Sequence, residues 1–312
     1  MKSGKRMIFS AAGGSVAALL TLLCATVVLA QAPSTSQGPA PAPGGRVFNA
    51  DPRAEQRTYH LDGANIDVPY CLYKSSKVPK NKPAPLIVSL HGMGAPPAIM
   101  CNKTAIDLAE EGGYILAAPM GYSTTGWYGS PVIHMGTGRG PRGPGAAPPA
   151  PPAAVPDAGA AVAPVPSDAD IEKWSENDVM NVLALMRKEF KVDNKRIYLT
   201  GHSMGGAGTY FLAAKHADIW AAVAPVAPAS FMMTPTRADI LKKIKDGGVP
   251  IMVVQGDADT VVPVDNARTW VATMKDLGMN YEYVEMPGID HGPVITASQK
   301  DIYAFFAKHS KK

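Results

Sequence analysis

Short apolar runs alternate with longer stretches of helical periodicity along this chain. Residues 86–90, 114–118, 196–200, 220–224, 250–255 and 281–286 are brief and mostly apolar, as strands buried on both faces should be. Residues 171–190 predict a helix. Val179, Val182, Leu183, Met186 and Phe190 recur there at steps of three and four, with one step of one. Residues 204–216, 265–277 and 298–309 predict three more helices, with Gly278 placed to end the second. Upstream, residues 58–61 and 66–73 read as an antiparallel pair. Strand followed by helix, repeated, predicts a doubly wound α/β fold, with a mostly parallel sheet flanked by helices and no large lid domain.

Two stretches break the pattern. Residues 31–57 hold Gln, Pro, Ser, Gly and Ala with little apolar surface and read as a flexible linker. A second stretch, at about 136–167, carries nine prolines among Ala and Gly. Burial there cannot offset the entropy of ordering the backbone, so a disordered surface insertion is expected within a domain spanning 58–312.

The N-terminus changes the compartment. Lys2, Lys5 and Arg6 precede an apolar run from Val16 to Ala30, which ends in Val28-Leu29-Ala30. This is the pattern of a signal peptide, residues 1–30, and the run is short for a membrane span of about 20 residues. The mature chain is therefore expected to be secreted or periplasmic, with no stable membrane anchor. Removing three basic residues and no acid takes the net charge from +4 to +1. A near-neutral chain has no electrostatic reason to hold nucleic acid. Of the three cysteines, Cys71 and Cys101 lie outside the signal. In an exported chain they can form a disulfide or remain as two buried thiols.

Chemistry enters at Gly201-His-Ser-Met-Gly205, a Gly-x-Ser-x-Gly pattern set between a predicted strand and a predicted helix. A turn that tight exposes the Ser203 oxygen in a strained backbone, at a helix N-terminus that favours negative charge. Ser203 is the expected nucleophile. It needs a base, and His291 follows the last predicted strand in a loop flanked by glycines. The base needs an acid to hold its tautomer. Asp257 and Asp259 both leave the end of strand 250–255, and Asp259 is the expected partner. Asp257 is the alternative, and Asp290 is too near His291 in sequence to bond its ring. The chain order serine, acid, histidine is that of one particular hydrolase fold. Oxyanion donors are expected at the backbone N–H of Met204 and of Met93, in His91-Gly-Met-Gly94. His91 is expected to brace that loop. Trp127 and Tyr128 follow strand 114–118, where they either contact substrate or close the core. Phe231 is a candidate for an apolar acyl wall. The histidines are scattered and no ligand-spaced set exists, so no metal or cofactor is expected.

The run from Ser175-Glu-Asn-Asp-Val to Arg196-Ile-Tyr-Leu-Thr-Gly-His-Ser-Met-Gly-Gly206 resembles the secreted polyhydroxybutyrate-depolymerase-like and feruloyl-esterase-like α/β-hydrolases. Leu-His-Gly before it and Gly-Asp-Ala-Asp-Thr-Val-Val-Pro after it strengthen the likeness. The chain is also similar to the catalytic domains of prolyl-oligopeptidase and dienelactone-hydrolase relatives, over roughly 58–309. The resemblance implies the α/β-hydrolase fold and hydrolysis of a small-molecule or oligomeric ester through an acyl-enzyme on Ser203, Asp259 and His291. The insertion at 136–167 departs from the compact connection usual in such enzymes. Two other readings are a peptidase of the prolyl-oligopeptidase type and a binding protein on an inactive hydrolase scaffold. The first needs a gating domain or an amine-binding acid, and neither is visible. The second is opposed by the complete Ser-Asp-His set.

Overall fold

The computed structural model describes residues 50–134 and 165–312. The expected signal peptide, most of the expected linker and residues 136–164 of the insertion lie outside these residues. The elements run β1 (Glu55–Leu61), β2 (Ile66–Lys74), β3 (Ala84–Leu90), α1 (Lys103–Gly112), β4 (Ile115–Pro119), α2 (Asp168–Glu189), β5 (Val192–His202), α3 (Met204–Lys215), β6 (Ala222–Val226), α4 (Arg237–Asp246), β7 (Ile251–Gly256), α5 (Val264–Asp276), β8 (Tyr281–Met286), α6 (Val294–Ala297) and α7 (Gln299–Ala307).

The strands form one sheet in the order β1-β2-β4-β3-β5-β6-β7-β8. β1 and β2 pair antiparallel, as do β2 and β4, and every later pairing is parallel. Inner strands β3, β4, β6 and β7 are buried along their whole length, which is why their sequences lack alternation. One apolar cluster packs α2, α3, α4 and α5 on one face of the sheet. A second packs α1 and α7 on the other. The chain passes from β3 outward to β4 and returns to β5 on the opposite side of β3. Loops leaving β3 and β5 therefore diverge across a topological switch point, where open α/β sheets keep their sites.

Several boundaries differ from the sequence reading. The expected linker 31–57 overlaps the fold, because β1 starts at Glu55 and the Asp51 N–H donates to the Cys101 carbonyl (2.9 Å). The polar Glu55-Gln-Arg57 edge lacks an apolar signature, and its pairing with β2 is what orders it. β6 lies at Ala222–Val226, two residues beyond the expected strand. Trp220 belongs to the helical layer, its indole N–H donating to Leu212 O (3.0 Å). Pro225 lies inside the strand. Helices α1 and α4 are additions to the sequence reading; α1 buries Ala105, Ile106 and Ala109, and α4 buries only Leu241 and Ile244.

Cys71 and Cys101 form a disulfide, with Cα atoms 6.5 Å apart. It ties β2 to the short turn Pro97–Cys101 that follows the β3 loop. Closing a loop of 30 residues corresponds to about 3.5 kcal/mol on the chain-entropy scale. A Cys71→Ala, Cys101→Ala variant should lose about that much in urea unfolding, and a loss below about 1 kcal/mol would contradict it. Among the described residues no helix is long and apolar enough to cross a membrane.

Candidate active site

Ser203 joins β5 to α3 with φ 57° and ψ −114°, a conformation that holds its side chain out of both elements. Its N–H donates to Val226 O (2.9 Å) and its carbonyl accepts from Ala229 N–H (3.0 Å), so the end of β6 and the loop after it clamp the strained residue on both sides. The flanking glycines are required by close approach. A Cβ on Gly201 would stand 2.2 Å from Gly205 O, and one on Gly205 would stand 2.4 Å from Leu90 O. Ser203 caps α3, and the Met204 N–H in its first turn has no intrahelical acceptor.

His291 and Asp259 meet as the sequence led us to expect. His291 Nδ1 lies 2.8 Å from Asp259 Oδ2, with the carboxylate side chain fully buried and the imidazole 15% exposed. Asp259 Oδ2 also accepts from Gln255 Nε2 (2.9 Å), and Oδ1 accepts the Val261 and Val262 N–H groups (2.9 and 2.7 Å). Four donors leave that carboxylate with no unmet demand and one orientation. Asp257 faces elsewhere and accepts the Gly288 N–H. Asp290 bonds the His291 N–H rather than its ring, and it also accepts from the Thr260 N–H and hydroxyl. The loop carrying the histidine is thus clipped to the loop carrying the acid.

His91 is fully buried, its ring spanning the Gly92 and Met120 carbonyls at 2.8 Å each. Burial pushes its pKa down. It braces the loop that presents Met93, whose N–H donates to no acceptor among the described residues. Asp178, buried in α2, anchors the neighbouring loop by accepting from the Gly121 and Tyr122 N–H groups and the Tyr59 hydroxyl. Burial raises its pKa.

Trp127 and Tyr128 are not substrate contacts. They are 3% and 0% exposed, and the Tyr128 hydroxyl accepts the His91 N–H (3.1 Å). Both fold inward through positive φ angles of 61° and 53°. An apolar pair in a loop reads alike whether it faces solvent or core, and only the backbone turn decides. Phe231 follows β6 and is 43% exposed, beside Met232 at 58%. Val261, 58% exposed, adds apolar surface from the loop after β7.

His202 adjoins Ser203 in sequence and lies against His291, with ring centroids 4.5 Å apart and its Nε2 2.8 Å from His291 O. Burial, followed by the charge of His291, lowers its pKa to about 3. A histidine held neutral in the fold but free to charge when unfolded costs nothing above its unfolded value, about 6.5. Below that, stability falls until the pH reaches the folded value, by up to about 1.4 kcal/mol per pH unit for this group. Urea midpoints should therefore drop between pH 7 and pH 5, and His202→Gln should drop less. An equal drop in both proteins would refute this assignment.

The tight elbow at the C-terminal end of β5, with the sheet order, defines an α/β-hydrolase fold. Residues 76–309 match the dienelactone hydrolase family, and the chain belongs to it. It is 26% identical over 271 residues to a bifunctional acetylxylan esterase/xylanase of Neocallimastix patriciarum, covering 79% of this chain and 34% of that one. It is 30% identical over 102 residues to cutinase 2 of Thermobifida cellulosilytica, covering 32% of this chain and 35% of that one. The chain thus spans about a third of the length of these curated relatives. Among solved structures it resembles an S-formylglutathione hydrolase from Agrobacterium tumefaciens, with a TM-score of 0.59 at 15% identity, covering 82% of this chain and 94% of that one.

Proposed function

We propose that this chain is a serine-dependent carboxylic ester hydrolase that works through an acyl-enzyme. The observation that carries the reading is the 2.8 Å contact between His291 Nδ1 and the saturated carboxylate of Asp259, at the sheet edge that also presents Ser203 on its elbow. In this mechanism Nε2 of His291 takes the Ser203 proton as Oγ attacks the ester carbonyl. The tetrahedral oxyanion is received by the Met204 and Met93 N–H groups, each worth about 10²–10³ in rate. Collapse expels the alcohol, which leaves with the proton from His291. Water then repeats the sequence and frees the acid.

The named activities of the relatives, acetylxylan esterase and cutinase, support ester over amide as the scissile bond. Phe231 and Met232 after β6 and Val261 after β7 are exposed apolar side chains suited to the acyl or alcohol side. The signal-like terminus and the disulfide support action outside the cytoplasm. Steady-state turnover of p-nitrophenyl esters and of prolyl p-nitroanilides by the same preparation tests the reading. Ester hydrolysis should dominate, with an initial burst of one p-nitrophenol per chain where deacylation is slow. Faster amide turnover would favour the peptidase alternative.

A further inference from the structure

We propose that His202 is a positioning residue for the base His291, holding it through its main-chain carbonyl and its ring face. The inference rests on the triad reading above. His291 must carry a proton between Ser203 and the leaving alcohol, and its contact with Asp259 fixes one ring nitrogen while leaving the ring free to tilt about that bond. The Asp290 carboxylate holds the His291 N–H (2.7 Å). His202 supplies the two missing restraints. Its Nε2–H donates to His291 O (2.8 Å), and its ring lies 4.5 Å from the His291 ring, tilted by 49°.

His202 is itself held firmly. It is 6% exposed at the end of β5. A Cβ on Gly92 would come 2.9 Å from its Nδ1 and 3.3 Å from Ser203 Cβ, so the loop carrying the Met93 N–H closes against it. One imidazole therefore touches the base loop and the oxyanion loop and is covalently next to the nucleophile. Donation through Nε2 requires a proton on that nitrogen, so the neutral ring is the Nε2–H tautomer. Burial keeps the ring neutral, with a pKa of about 3. A cation at this point would oppose the imidazolium that forms on His291 during proton transfer, whereas a neutral ring face does not.

The test compares kcat and KM for p-nitrophenyl acetate in His202→Phe and His202→Gln, each checked for folding by melting temperature and near-ultraviolet circular dichroism. Phenylalanine keeps a ring and loses the donor. A cavity of about 20 Å³ borders His202, Ser89, Thr200 and Gln299. Glutamine keeps a donor and loses the ring. His202→Phe should lower kcat by about 10–100-fold with KM within about twofold, and His202→Gln should recover most of the loss. Nitrogen-15 spectra of the wild-type protein should show His202 as the neutral Nε2–H tautomer from pH 8 to pH 5. A folded His202→Phe enzyme with kcat within about threefold of wild type would overturn the proposal. So would an Nδ1–H tautomer or a charged ring at pH 7, a readout that stands even where the phenylalanine variant does not fold. Failure of the triad reading shows differently, as activity persisting in Ser203→Ala.

Discussion

Ser203→Ala should eliminate ester turnover, with kcat falling about 10⁴–10⁶-fold while the protein keeps its fold. The residue holds φ 57°, which a serine or alanine meets with equal strain, and its backbone bonds to Val226 and Ala229 do not involve the side chain. The variant therefore separates chemistry from structure. Wild-type protein should be labelled covalently by a fluorophosphonate and the variant should not. Undiminished labelling of the alanine protein would remove Ser203 as the nucleophile, and a folded wild type that resists labelling would favour the inactive-scaffold alternative.

Asp259→Asn is expected to be nearly as damaging, at about 10⁴-fold in kcat, with KM little changed. The reason lies in the donor count. Asp259 Oδ1 faces the Val261 and Val262 N–H groups, and Oδ2 faces Gln255 Nε2 and His291 Nδ1. An asparagine amide must aim its NH₂ at one of those donor pairs. Turned so that the backbone donors are satisfied, it presents NH₂ to His291 and selects the tautomer with the proton on Nε2, where it cannot accept from Ser203. Turned the other way, it strands two buried N–H groups, which costs stability instead. Either loss is visible, one in kcat and the other in the unfolding midpoint. A variant within tenfold of wild-type kcat and equally stable would remove Asp259 from the mechanism.

Much of this arrangement was legible in the residues because the relevant constraints are local. A strand buried on both faces has to be apolar, and the turn from Gly201 to Gly205, packed against Leu90, needs glycine at both ends. Asp259 and His291 each follow a strand that ends at the same edge, so their meeting follows from parallel order alone. What escaped depends on contacts across the fold. Trp127 and Tyr128 turn inward through backbone angles that no apolar pattern encodes. Residues Glu55–Arg57 are ordered by a partner strand rather than by their own burial. His202 lies beside Ser203 in sequence, yet the ring it meets is 89 residues away. Adjacency to the nucleophile was the available signal, but it said nothing of where the next loop would close.

The described residues stop at His134 and resume at Val165, and the two flanks are bonded to each other. His134 Nε2 lies 2.7 Å from Asp168 Oδ1, and the Val132 N–H reaches Glu172 Oε1 (3.3 Å). The helix that resumes there opens with a complete capping box on Ser167 and Asp170. Flanks that meet in this way are fixed by their own side-chain and capping bonds, so β4 and β5 on either side keep their places without drawing on the residues between.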